Sequence, residues 1–135
     1  MLFAIHKGKI EGYEGGQASI LHLVTSPQDI ANASLDFVFT DGHAVMGYTT
    51  FYNDLASLSE AIDWEIMESQ YWNDTNEDGD RKRRRQAEFL VYRRVPWSLI
   101  RGIGVQNEAA KGEVNKILED CGQTADVRVL PNYYY

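Results

Sequence analysis

A chain of 135 residues, 44% of them hydrophobic, can bury one core but not several, so a single domain over residues 1–135 is expected. No run of about 18 apolar residues occurs, which excludes an apolar membrane-spanning helix. The opening Met1-Leu2-Phe3-Ala4-Ile5-His6-Lys7-Gly8 lacks the charged start and long apolar stretch of a secretory signal. The net charge of −7 argues against a uniformly polyanion-binding surface, and the lone Cys121 excludes an internal disulfide and suits a reducing cytoplasm.

Gly8, Gly12, Gly15 and Gly16 make residues 1–17 a loop or extended arm with turns. The small, β-branched and leucine residues of 18–24 predict a strand, closed by Thr25-Ser26-Pro27. Ser26 as N-cap and Pro27 at the first helical position start one or two helical turns over 28–33. Residues 36–40 predict a second strand, Asp41-Gly42 a turn, and residues 48–52 an extended segment. Asp54 caps a short helix ending at Leu58 or Ile62. Asp63 caps another, with Trp64, Met67 and Tyr71 at helical spacing on one face.

Residues 73–85 are polar and turn-rich, which predicts a mobile loop. A strand follows over 88–94, ended by Pro96, and another over 100–105 around Gly102 and Gly104. Asn107 caps the clearest helix, 108–121, with Val114, Ile117 and Leu118 facing inward. Residues 127–130 form a last strand before Pro131 and the tail Tyr133-Tyr134-Tyr135. Strands dominate without strict βαβ alternation, so the element pattern predicts an α+β fold with antiparallel pairing.

Charge is arranged in blocks. Eight acids (Glu60, Asp63, Glu65, Glu68, Asp74, Glu77, Asp78, Asp80) precede a segment, Arg81 to Arg101, that holds eight of the 13 Lys and Arg residues. Two readings stay open: a local basic patch on an acidic molecule, or blocks that neutralise each other as a solvated face. The cations of 81–85 end in one carboxylate, Glu88, at the mouth of the apolar run Phe89-Leu90-Val91-Tyr92. Such an acid is either an ordinary edge residue paired with Arg93 or Arg94, or a functional group beside a polyanion-collecting loop. Upstream, Trp64 and Tyr71 fit core packing of a helix face better than base stacking. Trp72, at the loop margin, is the better stacking candidate.

Other chemistries fare worse. His6, His22 and His43 are scattered without Cys partners, so no metal is expected. The acidic stretch 74–80 lacks calcium-loop spacing. Gly102-Ile-Gly104-Val-Gln-Asn107 ends in Asn where a dinucleotide fingerprint needs glycine. No P-loop and no Gly-x-Ser-x-Gly elbow is present.

The segments Asp36-Phe-Val-Phe-Thr-Asp-Gly-His-Ala44, Thr50-Phe-Tyr-Asn-Asp-Leu55, Ile62-Asp-Trp64, Tyr71-Trp72 and Arg83-Arg-Arg-Gln-Ala-Glu-Phe-Leu-Val91 resemble the DarT family. These are the toxin halves of DarTG toxin–antitoxin systems, NAD-dependent ADP-ribosyltransferases that modify thymidine in single-stranded DNA. The resemblance runs from near Met1 to the tyrosine tail. It implies an α+β, split-sheet ADP-ribosyltransferase fold with flanking helices, lacking its N-terminal part, and NAD as substrate with no metal. It places Glu88 as the catalytic glutamate and His43 near the reaction centre. It makes residues 72–85 the target-recognising loop, so that Trp72, Arg81, Arg83, Arg84 and Arg85 bind single-stranded DNA, while the tight Gly12–Gln17 stretch carries no chemistry. A macrodomain antitoxin is an implied partner, and the cytoplasm the implied location. In the family an upstream portion carries the main NAD-gripping residues, expected before the position of Met1. The alternative is therefore a non-catalytic DNA- or partner-binding remnant.

Overall fold

The computed structural model describes residues 2–134 and divides into two compact units, Ser26–Val95 and a second made of Met1–Thr25 with Pro96–Tyr135. The ends of the expected arm and tail, Met1 and Tyr135, lie outside the described residues. No described helix is long and apolar enough to cross a membrane.

In the Ser26–Val95 unit, α2 (Pro27–Asn32) follows α1 (Leu2–His6) and β1 (His22–Val24) of the other unit. It begins as the sequence predicts: the Ser26 hydroxyl accepts the Asp29 N–H at 3.1 Å, with Pro27 in the first turn. Then come β2 (Phe37–Thr40), β3 (Phe51–Tyr52), a 3₁₀ turn Leu55–Ser57 continuing into α3 (Leu58–Ala61), α4 (Trp64–Glu68), α5 (Arg81–Arg84) and β4 (Phe89–Val91). The sheet order is β3-β2-β4, antiparallel throughout, with Phe39 opposite both Tyr52 and Phe89. Alternation along β2 puts Phe37 and Phe39 on one face, where they stack with Phe89 and Tyr52. Phe39 is buried together with Ile30, Ile62 and Ile66. The same alternation leaves Val38, Thr40, Glu88 and Leu90 to the opposite face.

The other unit holds β1 antiparallel to β5 (Gly102–Val105), which pairs in parallel with β6 (Asp126–Val129). Expected antiparallel pairing fails here because α6 (Glu108–Asp120) carries the chain back to start β6 beside β5. Ile103, Val105, Ala110, Val114, Leu118 and Val127 form its core. Asn107 caps α6 by accepting the Ala110 N–H at 2.9 Å. Asn107→Ala is expected to cost about 1 kcal/mol, read as a lower denaturant midpoint with α6 amides exchanging first.

Other expectations also change. Residues 2–6 are helical, not extended, while Gly12 and Gly16 supply the positive φ that the following turns require. Ile117 is exposed; α6 meets its sheet with a narrow stripe of Ala110, Val114 and Leu118. In α4 the buried residue is Ile66, and Trp64 and Tyr71 are exposed. That helix spans five residues, too few for a periodic face to form. The expected mobile loop contains α5, and its cations from Arg81 to Arg84 each have a partner.

Candidate active site

Glu88 leads into β4 and is held at both backbone groups by one residue. Its C=O accepts the Thr40 N–H at 2.9 Å, and its N–H donates to the Thr40 hydroxyl at 3.0 Å. That hydroxyl donates in turn to the Gly42 C=O at 2.7 Å, and Thr40 is wholly buried. The end of β2, the Asp41-Gly42 turn and the start of β4 are therefore one hydrogen-bonded corner.

The turn delivers His43 to the carboxylate. His43 Nδ1 lies 3.1 Å from Glu88 Oε1, and the Ala44 N–H donates to the same oxygen at 3.2 Å. A carboxylate offers only acceptors, so the imidazole meets it as Nδ1–H. Oε2 has no partner among the described residues. The side chains of His43 and Glu88 are 38% and 37% exposed, within reach of solvent and of a ligand. Two of the sequence-predicted residues, 45 positions apart, are thus in contact.

The basic segment behaves differently. Arg83 is only 10% exposed: it forks onto both Asp80 oxygens at 2.8 and 2.7 Å and donates to Asp41 Oδ1 at 2.8 Å. Its guanidinium also stands over the Tyr48 ring, 5.2 Å from the centroid. The hydrogen bond to Asp80 leads in raising its affinity for its proton, with burial opposing and Asp41 adding to the rise. Asp80 is correspondingly held below its ordinary range by Arg83. A depressed carboxylate stabilises the folded chain above the unfolded pKa, and this contribution is lost as pH falls through the folded one.

Arg84 pairs with Asp63 and Asp78, and Lys82 with Asp74. Arg81 donates to the backbone carbonyls of Asn73 and Tyr71. Arg85 makes no ion pair among the described residues. Within 82–84 each cation is paired with at least one acid, and Arg84 remains 28% exposed. Arg83 is turned inward between Asp80 and Asp41, with only 10% of its side chain exposed. Trp72 is half-buried where the segment begins.

Thr40, Asp41, Thr49 and Arg83 as a framework were not apparent from the sequence. Thr-Asp-Gly-His directly after a strand, with Asp80 three residues before Arg83, is the only local signal of it. Among the described residues no group of three or more His, Cys, Asp or Glu side chains could hold a metal ion.

A sequence model described as "ssDNA thymidine ADP-ribosyltransferase, DarT" matches residues 1–135. The chain belongs to the DarT family. The DNA ADP-ribosyl transferase of Thermus sp. strain 2.9 is 43% identical over 137 residues, covering 100% of this chain and 63% of that protein. The protein of that name from Mycobacterium tuberculosis H37Rv is 32% identical, with 100% and 58% covered. This DarT chain therefore spans about three-fifths of the length of the curated relatives it matches. Solved structures of Thermus sp. 2.9 DarT with carba-NAD+ and with ADP-ribosylated ssDNA both align at a TM-score of 0.91 and 40% identity. They cover 99% of this chain and 67% and 63% of theirs. The DarT fold, mixed α+β with small split sheets, is the fold of this chain.

Proposed function

We propose that this chain is the glutamate-bearing part of an enzyme that transfers ADP-ribose from NAD to thymidine in single-stranded DNA. It acts as the toxin of a toxin–antitoxin pair, in the cytoplasm, with a macrodomain antitoxin as partner. One observation carries the reading: a strand-edge glutamate with Oε1 fixed by His43 and the Ala44 N–H, and Oε2 left without a partner among the described residues. The family match and the relatives' ligand-bound structures support it.

The chemistry asks for that arrangement. The bond from ribose C1 to nicotinamide breaks and nicotinamide leaves with the electron pair, so positive charge builds on the sugar. Glu88, accepting a ribose hydroxyl and facing that charge, favours the transition state over the ground state. A thymine ring nitrogen then bonds to C1 and gives up its proton, which Glu88 helps to remove while His43 orients carboxylate and base. The residues that grip most of the NAD are proposed to lie in the part of the family's length that this chain does not span.

Trp72, Arg81, Arg84 and Arg85 are the proposed strand contacts, Trp72 by stacking and the arginines at phosphates. Arg85→Gln should lower the slope of log affinity against log salt by about 0.7 for a single strand. An unchanged slope in salt titrations removes Arg85 from the interface.

The deciding experiment incubates labelled NAD with thymine-containing and thymine-free single strands in the presence of this chain. Label on the thymine strands alone is expected. Label on both sinks the thymidine assignment. Label on neither, with salt-sensitive strand binding retained, favours a non-catalytic DNA-binding module.

A further inference from the structure

We infer that Arg83 is a positioning residue that holds His43 against Glu88, and not a contact for DNA phosphates. The inference deepens the function proposed above and concerns the same site.

Three separate contacts join Arg83 to the His43 turn. Its backbone C=O accepts the His43 N–H at 2.9 Å, so the helical turn α5 directly sets the position of the histidine backbone. Its Nη1 holds Asp41 Oδ1, and that same oxygen accepts the Thr50 N–H at 3.0 Å, closing the turn between β2 and β3. Its side chain lies flush against Gly42, where a Cβ would fall 2.9 Å from Arg83 Cγ. On the far side the fork onto Asp80 fixes the guanidinium's orientation.

The His43 carbonyl is secured independently, by the Thr49 hydroxyl at 2.8 Å and the Met46 N–H at 3.1 Å. His43 is thus tied on both sides of its α-carbon, with Arg83 on the N–H side. A bidentate fork plus a third acceptor is a geometry only a guanidinium supplies; an ammonium has no planar fork with which to span Asp80 and Asp41 together. Tyr48, stacked on the guanidinium, covers it further.

The test compares Arg83→Met and Arg83→Lys with the wild-type chain by amide hydrogen exchange, by ¹⁵N signals of the His43 imidazole, and by salt titration of single-strand binding. The His43 amide keeps its backbone acceptor in both variants but should exchange roughly ten-fold faster, because the turn loses the net worth of the Arg83–Asp41 hydrogen bond that closes it. The imidazole signals should move toward a tautomer mixture, while the Ile30 and Tyr92 amides, bonded to Ser26 and Asp36 in the same unit, keep their rates and report that it is folded. The salt slope should stay as in wild type. Where the chain is active, turnover should fall with the KM values for NAD and strand unchanged. Lysine should not rescue any of these.

If Arg83→Met unfolds, Asp41→Ala removes the carboxylate oxygen that the guanidinium holds and is read in the same way. Wild-type exchange and imidazole signals in these variants overturn the inference, the more so if the salt slope drops by about 0.7. Absence of transfer by the wild-type chain would count against the proposed function alone. The amide and imidazole readings still decide the role of Arg83.

Discussion

Under the proposed function, Glu88→Gln is expected to reduce ADP-ribosyl transfer by on the order of a thousand-fold while leaving NAD and strand affinity and the fold nearly unchanged. The substitution preserves volume and one oxygen, so the Ala44 N–H and the His43 ring keep an acceptor where Oε1 now stands. What changes is the other position: an amide NH₂ replaces Oε2, a donor where a ribose hydroxyl needs an acceptor. The negative charge proposed to face the forming cation is also gone. Both losses are felt mainly in the transition state, so turnover falls and KM does not. Stability should barely move, because the side chain is more than a third exposed and its backbone anchors to Thr40 are untouched. The measurement is initial rate of label transfer at saturating NAD and strand, with a denaturant melt as control. A variant within about three-fold of wild type removes Glu88 from the chemistry.

The place of Glu88 at a strand's mouth was legible in the sequence because a charged run stops abruptly at an aromatic, β-branched one. Ser26, Asp54, Asp63 and Asn107 were legible as caps for the same reason: each bonds a backbone N–H two or three residues on. What was not legible depends on partners far along the chain. The Arg83–Asp41 pair links positions 42 apart, so nothing within a short window marks which guanidinium is turned inward. The segment read as mobile is ordered by its own upstream acids, Asp74 and Asp78 among them, and composition alone does not pair individual charges. The parallel β5–β6 pairing was hidden because short strands around a single helix carry no mark of direction. Thr40 was simply the end of a strand; its two-sided grip on Glu88 exists only once β2 and β4 are in register.

Gly42→Ala offers the sharpest test of how tightly that corner is packed, and should destabilise the chain by about 3 kcal/mol. Gly42 is not among the glycines with positive φ, so alanine meets no backbone strain there. The objection is contact alone: the new methyl would come within 2.9 Å of both Cγ and Cζ of Arg83, and closer still to Nη1. A flexible arginine ordinarily swings aside cheaply, but this one cannot move without leaving Asp41 and Asp80 uncompensated in a site where it is 10% exposed. Gly47→Ala, in the same loop with nothing within 4 Å, is the matched control and should change stability by less than about 0.5 kcal/mol. A double-mutant cycle isolates the cause. In an Arg83→Ala background the added methyl meets no Cγ, no Cζ and no Nη1, so Gly42→Ala should then cost well under about 1 kcal/mol. Strictly additive costs in denaturant unfolding would mean that the glycine is required for some reason other than the arginine pressed against it. Strong coupling would tie the turn that carries His43 to the side chain that holds it in place.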